Sequence, residues 1–235
     1  MEKENNESTS RFSRETVYMN DVKKIVIIGP ESTGKSSLCT QLAAHYQTIW
    51  CPEYAREFLL KNGTNYSFDD LLTIAKGQLD MEDSHHSIVS SQQSAVSNQQ
   101  SAASSQQPVA VSSQQTTVRD EFTIDDSRLT KLLFIDTEMY VMKVWCEFVF
   151  GQCHQWILNK IVERKYDLYL LCKPDLPWVK DELREYPDME SREKLYHIYK
   201  DILINQPVPW VEINGGYEDR LPKAITAVDR ITFID

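Results

Sequence analysis

Residues 29–36 read GPESTGKS and fit the spacing G-x-x-x-x-G-K-[ST], directly after the apolar run KKIVIIG and before SSLCTQLAAHY. Gly29 and Gly34 allow positive φ and close approach of the backbone, successive N–H groups can line an anion-binding nest, and a following helix adds its positive end. Gly29, Pro30, Glu31, Ser32, Thr33, Gly34, Lys35, Ser36 and Ser37 are therefore expected to hold the phosphate chain of ATP or GTP. Lys35 is expected on the β and γ phosphates, and Ser36 is expected to offer its hydroxyl to Mg2+.

Three further groups carry chemistry. Asp136 ends the apolar run LLFID, where a second magnesium-binding carboxylate is expected; capping a following helix is compatible with that role. CPEYARE places Glu53, Tyr54, Arg56 and Glu57 within five residues. A carboxylate there could orient or deprotonate a hydroxyl, and Arg56 could hold phosphate or fix the carboxylate; a plain surface helix start is the bland alternative. Arg184 and Arg192, with Lys180, lie in a charged segment poor in large apolar residues. Such a segment can close as a lid that brings arginines onto a transferring phosphoryl group, or can be a solvated face. His85 and His86 have no acidic or cysteine companion at ligand spacing and are expected to be solvent-exposed. Cys39, Cys51, Cys146, Cys153 and Cys172 show no CxxC pair, so core or boundary thiols are expected.

These residues need a scaffold that aligns strand ends. KKIVIIG, TIWCPEY, TKLLFIDTE, DLYLLCK and VPWVEIN read as strands, and the segments between them carry helical spacing. Ser67 is a candidate N-cap for a helix with Phe68, Leu71, Leu72 and Ala75 on one face. Further helices are expected over 139–151, over 155–165, within the charged stretch 175–194, over EKLYHIYKDILIN and from Tyr217 onward. Strand–helix alternation predicts a three-layer α/β fold: a mostly parallel five-stranded sheet, helices on both faces and a lid. Residues 1–21 read as a disordered or loosely docked tail and 22–235 as the domain. Ser84–Thr117 interrupts it with SSQQ repeats whose apolar positions are only Ala and Val, so a flexible low-complexity insertion is expected in preference to a marginal helix that docks on the domain.

Across 235 residues, 41% are hydrophobic, enough for a substantial core, and a formal net charge of −10 argues against a general phosphate-backbone binder. No targeting pattern or run of about 18 apolar residues is present, so a cytoplasmic location is the expectation. Nothing in the pattern specifies an oligomeric state.

Set in order, GPESTGKSS, CPEYARE, FIDTE, DLPWVKDELR and GYEDR make the chain from about Lys23 onward, insertion aside, resemble the ribosylnicotinamide kinase domain of the NadR-type NAD-biosynthesis family. The resemblance implies transfer of the ATP γ-phosphate to the 5′-hydroxyl of nicotinamide riboside, giving nicotinamide mononucleotide, with Mg2+. It implies Gly29 to Ser37 on the ATP phosphates and Asp136 near magnesium and the acceptor hydroxyl. It also implies Glu53, Tyr54 and Arg56 on the substrate side, with Trp178 and Asp181 in a substrate loop. Arg184 and Arg192 would belong to the lid, and Tyr217 and Arg220 would border the adenine. Either Glu53 or Asp136 could act as base. Bifunctional members carry an adenylyltransferase domain, and some a DNA-binding domain, ahead of the kinase; no second activity or repressor role is expected here. The expected partners are thus a small nucleoside and ATP, with no nucleic acid and no membrane. A kinase for another nucleoside or metabolite, or a nucleotide-dependent regulatory ATPase, would use the same loop.

Overall fold

β1 (Lys23–Ile28) can be apolar along most of its length because both of its faces are covered. In the computed structural model, which describes residues 22–103 and 131–232, Ile25 and Ile27 join one core cluster while Val26 and Ile28 join another. β3 (Leu132–Asp136) and β4 (Leu168–Cys172) are buried along their whole length and divide their side chains in the same way. With β2 (Trp50–Cys51) and β5 (Trp210–Ile213) they form one sheet in the order β2-β3-β1-β4-β5, every pairing parallel. β1 thus has β3 on one side and β4 on the other, which makes its carboxyl end the switch point where a crevice opens.

Leu38 and Leu42 of α1 (Lys35–His45) and Ala224 and Val228 of α7 (Tyr217–Thr232) cover one face of the sheet. The other face packs against Val89 of α3 (Phe68–Ala103), Val141 and Val144 of α4 (Met139–Phe150), and Leu195 and Tyr199 of α6 (Met189–Ile204). α2 (Tyr54–Asn62) and α5 (Gln155–Glu163) join α3 and α4 in a separate helical cluster around Leu71, Ile74 and Met142. The five cysteines are free thiols; four are buried and Cys153 is half-buried.

Several expectations change. α3 does not stop at Ser84 but continues to Ala103, so 84–103 is helical rather than a flexible insertion. Neither Gly nor Pro occurs between Gly77 and Pro108, and a packed helix extends readily through Ser, Gln and Ala once its nucleus is formed. Val89 is 5% exposed in the core, and Lys131 Nζ donates to Ser90 O at 2.8 Å. His85 and His86 are accordingly half-buried rather than solvent-exposed, with His85 Nδ1 2.8 Å from Met81 O. Residues 104–117 of the expected insertion, and the tail 1–21, lie outside the described residues. TIWCPEY contributes only two residues to the sheet, and the stretch between Cys172 and Met189 contains turns rather than helix. α6 instead starts earlier, where the Asp188 carboxylate accepts from Ser191 N at 2.7 Å. The cap at Ser67 holds: its hydroxyl accepts from Asp70 N at 3.2 Å while Asp70 Oδ2 accepts from Ser67 N at 2.8 Å.

A short Gly/Ser linker replacing residues 84–117 is expected to melt about 3–8 °C below one replacing only 104–117, since the longer cut also exposes the pocket that Val89 fills. Thermal unfolding by circular dichroism compares the two; equal melting temperatures would mean that the 84–91 turns add nothing to the core.

Candidate functional site

The loop between β1 and α1 is bent by residues with left-handed backbone. Gly29 has φ +145° and lies so close to β4 that a Cβ there would sit 2.5 Å from Cys172 O. Ser32 (φ 55°) and Gly34 (φ 78°) turn the chain into α1, whose first bond runs from Leu38 N to Gly34 O at 2.9 Å. Thr33 Oγ1 donates to Pro30 O at 2.8 Å, and Lys35 Nζ reaches across to the same carbonyl at 2.9 Å.

Beneath the loop lies Asp136. Its Oδ2 accepts from Ser36 Oγ, and its Oδ1 is buried without a protein partner. An oxygen-only pair with one unsatisfied carboxylate oxygen fits the preference of a magnesium ion for hard ligands. Burial pushes the Asp136 carboxyl up from its ordinary range, opposed by the Lys35 charge and the Ser36 hydroxyl. The next residue, Thr137, has φ 87°, a costly conformation for a β-branched side chain, and its hydroxyl is buried without a partner. Glu138, expected nowhere as a cap, takes that role for α4 by accepting from Tyr140 N at 2.8 Å.

Glu53 stands across from Asp136 at the start of α2. It is held by a residue the sequence did not single out: Gln78 of α3, fully buried, accepts from Tyr54 N at 2.7 Å and donates to Pro52 O at 3.1 Å. The two peptide groups flanking Glu53 are thus clamped by one side-chain amide. Tyr54 itself does not line the cavity; its ring lies on Gly77, where a Cβ would be 2.2 Å away. Burial first, then the Asp136 charge, raises the Glu53 carboxyl from 4.5 to about 7.

Gly29 to Ser37, Glu53, Arg56 and Asp136 line a single cavity of about 430 Å3. Its far wall is apolar and aromatic: Val141, Val144, Trp145 and Phe148 of α4, with Leu195 and Tyr199 of α6. The helical spacing of the α4 residues was visible in the sequence, but the same spacing describes an ordinary core helix. Asp181, Leu183, Arg184, Glu185 and Tyr186, from the segment 173–188, also line it. That segment is docked. Asp181 pairs with Arg56 through two bonds of 3.1 and 3.3 Å, the Glu31 carboxylate accepts from Glu185 N at 3.0 Å and Tyr186 N at 3.1 Å, and Ser32 Oγ accepts from Val179 N at 2.9 Å. Arg184 lines the cavity and donates to Val179 O.

The remaining expected residues sit elsewhere. Arg192 is not on the lid; it is 1% exposed in the first turn of α6 and donates to Ser32 O and Leu176 O at 3.2 Å. Arg220 is also buried, bonded to Thr33 O and Lys173 O at 3.0 Å and to the Asp175 carboxylate. Both guanidiniums therefore brace the phosphate loop from behind. Trp178 lies outside the cavity lining with its indole nitrogen buried and unpartnered, and Tyr217 is 59% exposed beyond it. Among the described residues no cluster of three or more metal-ligating His, Cys, Asp or Glu side chains occurs, and no helix is long and apolar enough to cross a membrane.

Glu53 keeps its proton to about pH 7 in the folded chain but loses it near 4.5 when unfolded, so folding stability falls as pH rises between those values. Glu53→Gln should therefore melt higher than the parent at pH 8, with the gap closing toward pH 5. Thermal melts at the two pH values decide it; an equal or lower melting temperature at pH 8 would show a carboxylate at ease in its site.

Trifunctional NAD biosynthesis/regulator protein NadR of Salmonella typhimurium is 23% identical over 214 residues, and that of Escherichia coli 22% identical over 212; each alignment covers 88% of this chain. The chain spans 42% of the length of these relatives. A crystal structure of NadR protein in complex with NR superposes with a TM-score of 0.61 at 19% identity, covering 91% of this chain and 52% of that one. A second, in complex with NAD and AMP-PNP, gives a TM-score of 0.56. At that identity the superpositions establish a shared fold, an α/β P-loop architecture with a five-stranded parallel sheet. The AAA domain family model matches residues 24–93 and 77–220, which together take in the phosphate loop, Glu53, Asp136 and the 173–188 segment, and the chain belongs to that family of P-loop domains.

Proposed function

We propose that the chain is an ATP-dependent kinase that phosphorylates nicotinamide riboside on its 5′-hydroxyl to give nicotinamide mononucleotide. The observation that carries this reading is one cavity lined together by the phosphate loop, by the carboxylates of Glu53 and Asp136, and by aromatic and apolar side chains of α4 and α6. Its volume suits a nucleoside beside a phosphate chain. The NadR relatives and the NadR structures with NR and with AMP-PNP support the choice of acceptor and donor.

In this reading the loop N–H groups and Lys35 bind the β and γ phosphates, for which Lys35 must leave Pro30 O. Ser36 and Asp136 would hold Mg2+, which supplies neutralisation of phosphate charge. Glu53, with its carboxyl raised to about 7, is suited to accept the proton of the acceptor hydroxyl at neutral pH. That hydroxyl oxygen bonds to the γ-phosphorus as the bond to the departing ADP oxygen breaks in line. Because the transition state is loose, positioning and charge neutralisation outweigh base strength, and Arg184 is placed on the cavity to add positive charge. Arg56, paired with Asp181, acts through the fit of the segment over the acceptor.

Lys35→Ala should lower phosphoryl transfer by roughly 100-fold or more while leaving circular dichroism unchanged, since the ammonium meets developing phosphate charge rather than packing in the core. An unaltered rate would remove the loop from the chemistry. With Mg2+ATP, nicotinamide riboside should show a higher kcat/KM than cytidine, uridine or adenosine, read by mass spectrometry of the product. A pyrimidine nucleoside winning would reassign the acceptor; ATP hydrolysis without an acceptor-dependent product would make the chain a regulatory ATPase.

A further inference from the structure

Tyr66 does not line the cavity, yet its hydroxyl joins two residues that do. Trp145 Nε1 donates to Tyr66 Oη at 2.8 Å, and Tyr66 Oη donates to Glu185 Oε2 at 3.0 Å. The two rings meet edge to face with centroids 4.9 Å apart, which sets the tilt of the indole on the aromatic wall. Glu185 continues the line: its own N–H and that of Tyr186 end on the Glu31 carboxylate at the tip of the phosphate loop. A chain of bonds therefore links Trp145 of the cavity wall, through the 173–188 segment, to Glu31 of the phosphate loop.

The chemistry of this chain has one direction. An indole N–H can only donate and an ionised carboxylate can only accept, so the group between them must do both, which a phenol does and a phenyl ring cannot. Partial burial and the nearby Glu185 charge raise the Tyr66 hydroxyl well above its ordinary range, so it stays protonated and able to donate.

We infer that Tyr66 is a positioning residue, one that couples the seating of an acceptor ring against Trp145 to the docking of residues 173–188 over the phosphate loop. The inference rests on the kinase reading for its acceptor. It differs from that reading in placing a determinant of acceptor use outside the cavity, on the short connection between α2 and α3.

The test is Tyr66→Phe, which keeps the ring and deletes the bridge. kcat/KM for nicotinamide riboside should fall about tenfold, a typical cost of an unpartnered indole N–H and carboxylate, while KM for ATP and the melting temperature stay near the parent values. Glu185→Ala, which removes the acceptor on the exposed side of the same chain, should give a similar loss, and the double variant should be no worse than the larger single loss. Unchanged acceptor kinetics, an equal loss for ATP and acceptor, or additive losses would overturn the inference. Amide hydrogen exchange of the free protein gives a readout independent of the acceptor: Glu185 and Tyr186 should exchange several times faster in Tyr66→Phe, by roughly the weight of one lost bond. If the parent phosphorylates no nucleoside, the kinase reading fails; exchange then judges the bridge, and identical exchange in parent and variant would sink it.

Discussion

Parallel pairing of β1 with β3, Ile27 opposite Asp136, is the constraint on which the site depends. It brings the carboxylate to the strand end where the chain leaves β1 for the phosphate loop, close enough for Ser36 Oγ to bond to Asp136. The pairing is enforced by burial: β1 and β3 share two core clusters, one on each face, so a one-residue slip would exchange every apolar contact of both. Asp136 is thereby carried to 1% exposure, a position a carboxylate tolerates only beside a donor and a cation, here Ser36 and Lys35.

The phosphate loop has little apolar packing of its own and is held from outside. Arg192 bonds to Ser32 O and Arg220 to Thr33 O, so consecutive carbonyls of the loop are turned backward onto buried guanidiniums. Turning those carbonyls away leaves the front of the loop free to present N–H groups, which is what an anion requires. Two cations that look, by composition, like phosphate binders are thus spent on backbone carbonyls of the loop.

On its front side the same loop is tied to the 173–188 segment by Glu31 and Ser32, and that segment is tied to α2 through Asp181 and Arg56. The Arg56–Asp181 pair is half open to water, so its own contribution to stability is modest; its value lies in orientation. Tyr186 adds an edge-to-face contact with Phe148, centroids 5.2 Å apart, and Leu176 is buried, so the segment is held by polar clasps and apolar contacts together.

The amino-acid order alone determined the phosphate loop, the strand ending in Asp136 and the α/β class, because each is a local pattern in which residue type and spacing carry the physics. It also marked Glu53 and the 173–188 segment. Strand order, the length of α3 and the duties of individual side chains were decided by tertiary structure. Arg220 finds Thr33 across 187 positions of chain, and Gln78 clamps peptides 24 and 26 positions away; neither partner is visible in any local window. Tyr54 stands in the middle of the most suggestive motif, yet its ring turns to α3 because Gly77 leaves room for it there. Ser/Gln repeats, too, say nothing by themselves about whether the helix before them will run on; α3 enters them already anchored by Val89 in the core, a contact that exists only once the sheet beneath it has formed.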